Sequence, residues 1–346
     1  MKALYGYFGE ITEHNLKYPG HPLYQLNLLS SLSNYFGIDK FDILHYTDDE
    51  DRNGISIHAD LRSSLLESLV GDRYRGVLPS ELDYDIVILK HRFRNLSRLH
   101  DTRLSDVSIY EEMLDVCRHN GIPTYVIDSD FSIHPSFWRR FPHVKILSFA
   151  DNLDIYPRDV DVTKLSPTSD VLLRMIPTEA TNRPHDCFVY DGNPYFKDSM
   201  LIESMEVLLR SDSMIEEGLI LGKGWKEYPI YVSRPVEHFG RDRRIEFYKK
   251  ALMRGACTVN ITKKAYEENR FVSPRIVEAF ILGVFPLVPS GYTFMPEDLR
   301  FSSISELREK AFFFCETYNP NLLLKYAYEM FRELRSLGFE GIHDEL

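Results

Sequence analysis

Two α/β domains, each built on a mainly parallel sheet, are what this sequence predicts, and three observations carry the prediction. The chain has 346 residues, more than one ordinary core holds, so two domains of roughly 150 residues each are expected. Its composition is 44% hydrophobic, 27% charged and 13% aromatic, enough apolar material to bury two cores. Short β-rich runs alternate with runs of helical period, which is the mark of βαβ units around a parallel sheet.

Lys2 to Phe8 opens the chain as a strand. Pro22 is placed to start a helix whose apolar residues Tyr24, Leu28, Leu32 and Phe36 recur at fours, with Gly37 as the stop. Phe41 to Tyr46 reads as a second strand, followed by a helix over Leu61 to Val70 and a strand over Asp85 to Leu89. A helix from Ile109 to His119 closes at Gly121, and strands at Thr124 to Ile127 and Val144 to Phe149 complete a sheet of at least five strands.

From Asp151 to Pro184 the periodicity fades and prolines accumulate, as in an interdomain connection, and Pro177 marks the expected boundary. A second unit follows, with strands at Phe188 to Tyr190, Leu219 to Leu221, Thr258 to Ile261 and Phe285 to Val288. Helices are expected over Met200 to Leu209, Arg275 to Leu282 and Asn321 to Leu337. The basic run Arg241, Arg243, Arg244, Lys249, Lys250 and Arg254 has helical spacing and reads as a salt-bridged helix.

No window approaches eighteen apolar residues, and the first apolar stretch is cut short by Gly9 and Glu10, so neither a membrane span nor a secretory signal is expected. Cys117, Cys187, Cys257 and Cys315 form no CxxC pair and no Cys/His cluster, which points away from a zinc site or a disulfide framework and towards a reducing cytoplasm. A net charge of −11 argues against a broad electrostatic grip on nucleic acid, although a locally basic groove is compatible with it.

The segment richest in chemistry runs from Ser273 to Gly283. Ser273 suits an N-cap and Pro274 the first helical position, so a helix begins here with its free N–H groups and positive dipole end exposed, an anion site. Arg275 in the first turn could add a forked contact to a diphosphate, and the Glu278 carboxylate, on the same face, could accept from two ribose hydroxyls. The plainer reading is a good helix start carrying a surface ion pair.

The string Arg275-Ile276-Val277-Glu278-Ala279-Phe280, closing in Gly283 and running into Phe285-Pro286-Leu287-Val288, resembles the nucleotide-sugar segment of the GT-B glycosyltransferases. Within that group, the order of features is similar to that of the DNA β-glucosyltransferases of T-even phages, which transfer glucose from UDP-glucose to hydroxymethylcytosine. Cys187-Phe188-Val189-Tyr190-Asp191-Gly192-Asn193 resembles the first strand and glycine turn of the nucleotide domain. The family then supplies arginines where this chain has Tyr195 and Lys197, so phosphate contact from this loop falls to Lys197. Leu219 to Gly222, with Lys223-Gly224-Trp225, resembles the part that holds the uracil. The resemblance implies a donor site of Gly192, Lys197, Gly222, Ser273, Arg275 and Glu278.

Asp128, just past a buried strand, projects where open α/β sheets bind their ligands. Laid without gaps from Ile122, it falls on the family's catalytic aspartate, with Asp130 the alternative if the register slips. Asp128-Ser129-Asp130 also reads as a DxD metal pair, or as turn chemistry. The GT-B resemblance at Arg275 and Glu278 ranks the metal reading lowest, so no divalent metal is called for; many retaining GT-B enzymes carry a glutamate eight positions before the equivalent of Glu278, where this chain has Arg270, so inversion is expected. The loop after the first strand carries Glu13 and His14 as acceptor candidates. Lys90, Arg92, Arg94 and Arg98, extended by Arg139 and Arg140, could track a phosphate backbone or pair with the chain's own carboxylates.

The resemblance implies a GT-B fold: two Rossmann-like domains on a central cleft, an acceptor domain over residues 1–175, a nucleotide-sugar domain over 176–318, and a helix within 319–346 crossing back to the first. It implies an inverting transferase moving a hexose, glucose first among them, from a UDP-sugar to a hydroxymethylated pyrimidine in duplex DNA. The alternatives are a transferase acting on a cell-envelope glycan or small metabolite, and a non-catalytic UDP-sugar-binding protein.

Overall fold

The computed structural model describes residues 1–8, 21–46, 54–60, 73–75, 82–91, 105–129, 131, 133, 135–178, 184–194, 199–222, 224–225, 231–240 and 243–342. The chain divides into two compact units. Unit 1 comprises Met1–Lys17, Leu28–Ser166 and Phe339–Gly341; unit 2 comprises Tyr18–Asn27, Pro167–Gly338 and Ile342–Leu346.

Unit 1 contains β1 (Ala3–Phe8), most of α1 (His21–Phe36), β2 (Lys40–Tyr46), β3 (Gly54–Asp60), β4 (Arg73–Arg75), β5 (Ile86–Lys90), α2 (Ser105–His119), β6 (Thr124–Asp128), α3 (Pro135–Arg140), β7 (Lys145–Ser148) and β8 (Val162–Lys164). The strands form one sheet in the order β4-β3-β2-β1-β5-β6-β7-β8. From β2 to β8 all neighbours are parallel. Ile86, Val87, Ile88 and Leu89 are all buried, as a parallel strand covered on both faces requires. Leu28, Leu29 and Leu32 of α1 are fully buried. Gly37 and Gly121 take φ of +66° and +65° at the helix ends, the left-handed turn that glycine makes without strain.

Three strands go beyond the five named from the sequence: β8 adds a parallel strand inside the stretch expected to be irregular, and β3 and β4 lie at the other edge. β3 pairs antiparallel with β2, and β4 with β3, so the edge is an antiparallel extension. The expected helix from Leu61 to Val70 lies outside the described residues.

Unit 2 contains α4 (Val171–Met175), β9 (Cys187–Asp191), α5 (Ser199–Leu208), β10 (Glu217–Leu221), β11 (Val236–Phe239), α6 (Arg244–Arg254), β12 (Gly255–Val259), α7 (Lys264–Glu268), α8 (Pro274–Ile281), β13 (Phe285–Pro289), β14 (Arg300–Phe301), α9 (Ile304–Glu316) and α10 (Pro320–Ser336). Its sheet runs β11-β10-β9-β12-β13-β14 and is parallel throughout. Counted from β9 this is the doubly wound order 3-2-1-4-5-6, which reverses direction between β9 and β12; ligands of such sheets bind at that reversal.

The units part at Ser166, earlier than the prolines indicated. Backbone bonds between Lys164, Ser166 and Glu340 hold this stretch in unit 1. Beyond it, α4 buries Val171, Leu172 and Leu173 and packs on α8 and α10, inside the segment expected to be irregular. The body of α10 also belongs to unit 2: Tyr326 donates to Asp298 Oδ2 at 2.7 Å and meets the rings of Phe285 and Phe314. What rejoins unit 1 is the short run Phe339–Gly341 after the helix, not the helix itself. The basic helix α6 is ion-paired, with Arg254 on Asp186 just before β9 and on Glu217 of β10, and Lys250 on Glu237 of β11. Among the described residues no helix is long and apolar enough to cross a membrane.

Candidate functional site

Four segments of unit 2 meet at the reversal between β9 and β12. The first is the exit of β9, Tyr190-Asp191-Gly192, and the second is the turn after β10 at Gly222. Gly192 N donates to Leu221 O at 2.9 Å, and Gly192 O accepts from Trp225 Nε1 at 2.7 Å. A Cβ at Gly222 would lie 2.1 Å from Gly192 O, and its φ is +154°, so only glycine allows the two turns to close on each other. A Cβ at Gly192 would meet Arg275 Nη2 at 2.9 Å, so that glycine is what lets the guanidinium approach the turn. Gly192 and Gly222, read separately in the sequence, are therefore one assembly. Lys197 lies outside the described residues.

The third segment is the start of α8. Ser273 is its N-cap, as expected, but the expectation of free N–H groups needs correction. Pro274 has none, Arg275 N donates to Ser273 Oγ at 3.3 Å, and Ile276 N donates to Ser273 O at 3.0 Å. The cap engages the N–H groups of Arg275 and Ile276, so the helix dipole and the Arg275 side chain are the main features here that attract negative charge. Arg275 Nη1 donates to Tyr190 Oη at 3.0 Å, and the guanidinium stands 5.6 Å from the centre of that ring. Burial opposes its charge, but the oxygens of Tyr190, Asp191 and Glu278 outweigh this and raise its proton affinity above the ordinary. Glu278 is 9% exposed, a buried carboxylate rather than half of a surface pair.

The fourth segment is the exit of β12. Tyr190, Asp191, Thr258, Asn260, Arg275 and Glu278 line a cavity of about 20 Å³. Tyr248 on α6 donates to Asp191 Oδ2 at 2.7 Å, and burial first, then the charges of Asp191 and Glu278, hold its phenol well above its usual range. Tyr292 is buried and shares a hydrogen bond with Thr262; burial is the main cause that pushes its phenol up to about 12. Asn260 and Tyr248 were not among the residues the sequence singled out as site members, whereas Trp225 lies in the segment whose resemblance implied a place for the uracil. For Asn260 a signal existed: it is the first residue past a buried strand, but the strand was expected to run on to Ile261.

In unit 1, Asp128 ends β6 as expected but does not project into the open. It is 1% exposed and accepts a hydrogen bond from Tyr156 Oη at 3.1 Å, while Tyr156 Oη also lies 2.9 Å from Ser148 Oγ. Burial, and next the Asp128 charge, keep the Tyr156 phenol protonated far above its ordinary range. The difference is that Asp128 is buried and hydrogen-bonded to Tyr156, which comes from the chain after β7. Lys90 closes β5, half-buried. Asp130, Glu13, His14, Arg92, Arg94 and Arg98 lie outside the described residues. Arg140 is ion-paired to Glu111 at 2.7 Å, while Arg139 is exposed.

No protein-family model matches the chain, and no curated protein sequence matches it. Solved structures do. A β-glucosyltransferase described as a DNA-modifying enzyme superposes with a TM-score of 0.55 at 14% identity, covering 97% of this chain and 95% of that one. An α-glucosyltransferase in complex with UDP-glucose and DNA containing an abasic site gives 0.55 at 10% identity, covering 98% and 96%. An α-glucosyltransferase in complex with UDP and a 13-mer DNA gives 0.54 at 9% identity, covering 98% and 96%. At such identities the likeness is one of architecture, and the fold of this chain is that of the GT-B glycosyltransferases.

Proposed function

We propose that the chain is an inverting glycosyltransferase that moves a hexose, glucose first among them, from a UDP-sugar to a hydroxymethylated pyrimidine in duplex DNA. The observation that carries the reading is the convergence of Arg275, Glu278 and the Gly192 turn where the unit 2 sheet reverses. A guanidinium beside a backbone turn and a helix start suits a diphosphate, and a buried carboxylate one turn along suits the hydroxyls of a ribose.

In this reading the acceptor oxygen attacks the anomeric carbon as the bond from that carbon to the UDP oxygen breaks. The acceptor proton passes to Asp128, and the new charge on UDP is stabilised by Arg275 and the α8 dipole. The Tyr156 hydroxyl fixes the orientation of the Asp128 carboxylate. An acceptor base in duplex DNA has to leave the stack to be reached. The DNA part is supported by one full-length structural neighbour being a DNA-modifying enzyme, and by the DNA bound in two others.

A second reading, transfer to a glycan or small metabolite, is favoured by the net charge of −11 and by the pairing of Arg140 with Glu111. Mass spectrometry of hydroxymethylated duplex incubated with the protein and a panel of UDP-sugars separates the two. One added hexose per modified base is expected; donor hydrolysis with unmodified DNA favours the second reading. Neither transfer nor hydrolysis leaves a nucleotide-sugar-binding protein.

A further inference from the structure

Asn260 stands where the β12 backbone leaves the sheet. Its N–H donates to Leu287 O at 2.8 Å, which fixes the main chain, and its side chain is 2% exposed. Among the described residues neither Oδ1 nor Nδ2 has a hydrogen-bond partner. Burying a whole amide unpaired is costly, and such groups in a folded protein call for an explanation. The amide lines the same cavity as Asp191, Arg275 and Glu278, and that cavity, about 20 Å³, has room for one small polar group.

We propose that Asn260 receives a ribose hydroxyl of the donor nucleotide, making the site selective for ribonucleoside over deoxyribonucleoside diphosphates. The inference rests on the donor-site reading above and adds a specificity-determining residue to it. The chemistry selects the group. An amide offers one acceptor and one kind of donor, so a partner must both give and take a proton. A phosphate oxygen only accepts, and would leave Oδ1 unpaired; a hydroxyl does both. One hydroxyl of a vicinal pair fills the cavity, donating to Asn260 Oδ1 while accepting from Nδ2, and its neighbour is left to face the Glu278 carboxylate at the rim.

The test is calorimetric titration of UDP, 2′-deoxy-UDP and 3′-deoxy-UDP into the wild type, Asn260→Ala and Asn260→Leu, which keeps the branched side-chain skeleton without its hydrogen-bonding groups. The wild type should bind UDP about tenfold more tightly than one of the two deoxy analogues, the worth of a hydrogen-bonded hydroxyl. In both variants that preference should shrink to within twofold, through loss of UDP affinity, with the affinity for the analogue unchanged. Both unliganded variants should melt no lower than the wild type, because each substitution removes unpaired groups rather than a contact. A preference that survives in the variants overturns the proposal, and then the amide holds a water rather than the donor. An equal loss for all three nucleotides with a lowered melting temperature makes Asn260 a structural residue and also overturns it. If the wild type binds no UDP, the donor-site reading itself fails, and the inference with it.

Discussion

Arg275 holds Tyr190 Oη, lies over the same ring and closes on the Gly192 turn, all from the first turn of one short helix. If its charge serves the leaving diphosphate, Arg275→Ala should lower kcat by roughly 10²–10³ while leaving the melting temperature almost unchanged, since removal of one preorganised donor to developing charge costs about that much. Arg275→Lys should recover little, because an ammonium cannot reproduce the fork. Steady-state kinetics beside a thermal melt checks both, and near-normal turnover in the alanine variant removes Arg275 from the chemistry. Asp128 poses a sharper question because it is buried. Asp128→Asn still accepts the Tyr156 hydroxyl through its carbonyl oxygen, so the fold should persist, but the amide takes no proton and transfer should fall at least about 10²-fold. A transfer rate within a few-fold of the wild type would make Asp128 a core carboxylate and nothing more. At this scale the sequence disclosed whatever depends on near neighbours. Ser273, Pro274, Arg275 and Glu278 could be placed because capping and three-residue spacing are local rules. The burial of Asp128 was out of reach, because it depends on tertiary packing, and even its hydrogen-bond partner Tyr156 lies 28 residues further along the chain.

The two glycine turns show what elements demand of one another. Gly222→Ala places a Cβ against Gly192 O and forces an alanine to a left-handed φ, so it should cost roughly 2–4 kcal/mol of stability in urea denaturation and loosen the turn against which Arg275 rests. An alanine variant as stable as the wild type would mean that the turns tolerate separation. The start of α9 offers a pH-dependent test. Ser303 caps it, and Glu306 accepts from the Ser302 hydroxyl at 2.7 Å and the Ser302 N–H at 2.8 Å. These two bonds, with Lys310 helping, lower its carboxyl from 4.5 to about 2. A carboxyl depressed on folding stabilises fully above its unfolded value and loses that contribution as pH falls through its folded value. Glu306→Gln should therefore melt slightly below the wild type at pH 6, with the gap closing between pH 4.5 and about 2. A gap independent of pH would assign the effect to packing. Strands and helices were legible wherever period and punctuation agreed, as in β5, α1 with Gly37, and α8. The β3–β4 extension was not, although β2, β3 and β4 follow one another along the chain, because strand formation at a sheet edge depends on packing context more than on intrinsic propensity, and a run as short as Arg73-Tyr74-Arg75 shows no alternation. Nor was α4, a helix of five residues whose apolar run Val171-Leu172-Leu173 is too short to display a period.

For the molecule as a whole, charge and fold pull in different directions. The fold is shared along nearly the full chain with a DNA-modifying β-glucosyltransferase and with an α-glucosyltransferase solved in complex with DNA, yet the net charge is −11. Binding to hydroxymethylated duplex should accordingly be local and salt-sensitive, with retention at about 50 mM salt and steep loss by about 200 mM in a filter or mobility-shift assay. No retention at the lower salt would move the acceptor away from DNA without touching the donor site. The account stands or falls on that donor site, and a crystal soaked with UDP examines it directly. The diphosphate should appear at the first turn of α8 within hydrogen-bond distance of the Arg275 guanidinium, with the ribose against Glu278. Density for UDP at any other place in unit 2, or in unit 1, would contradict it.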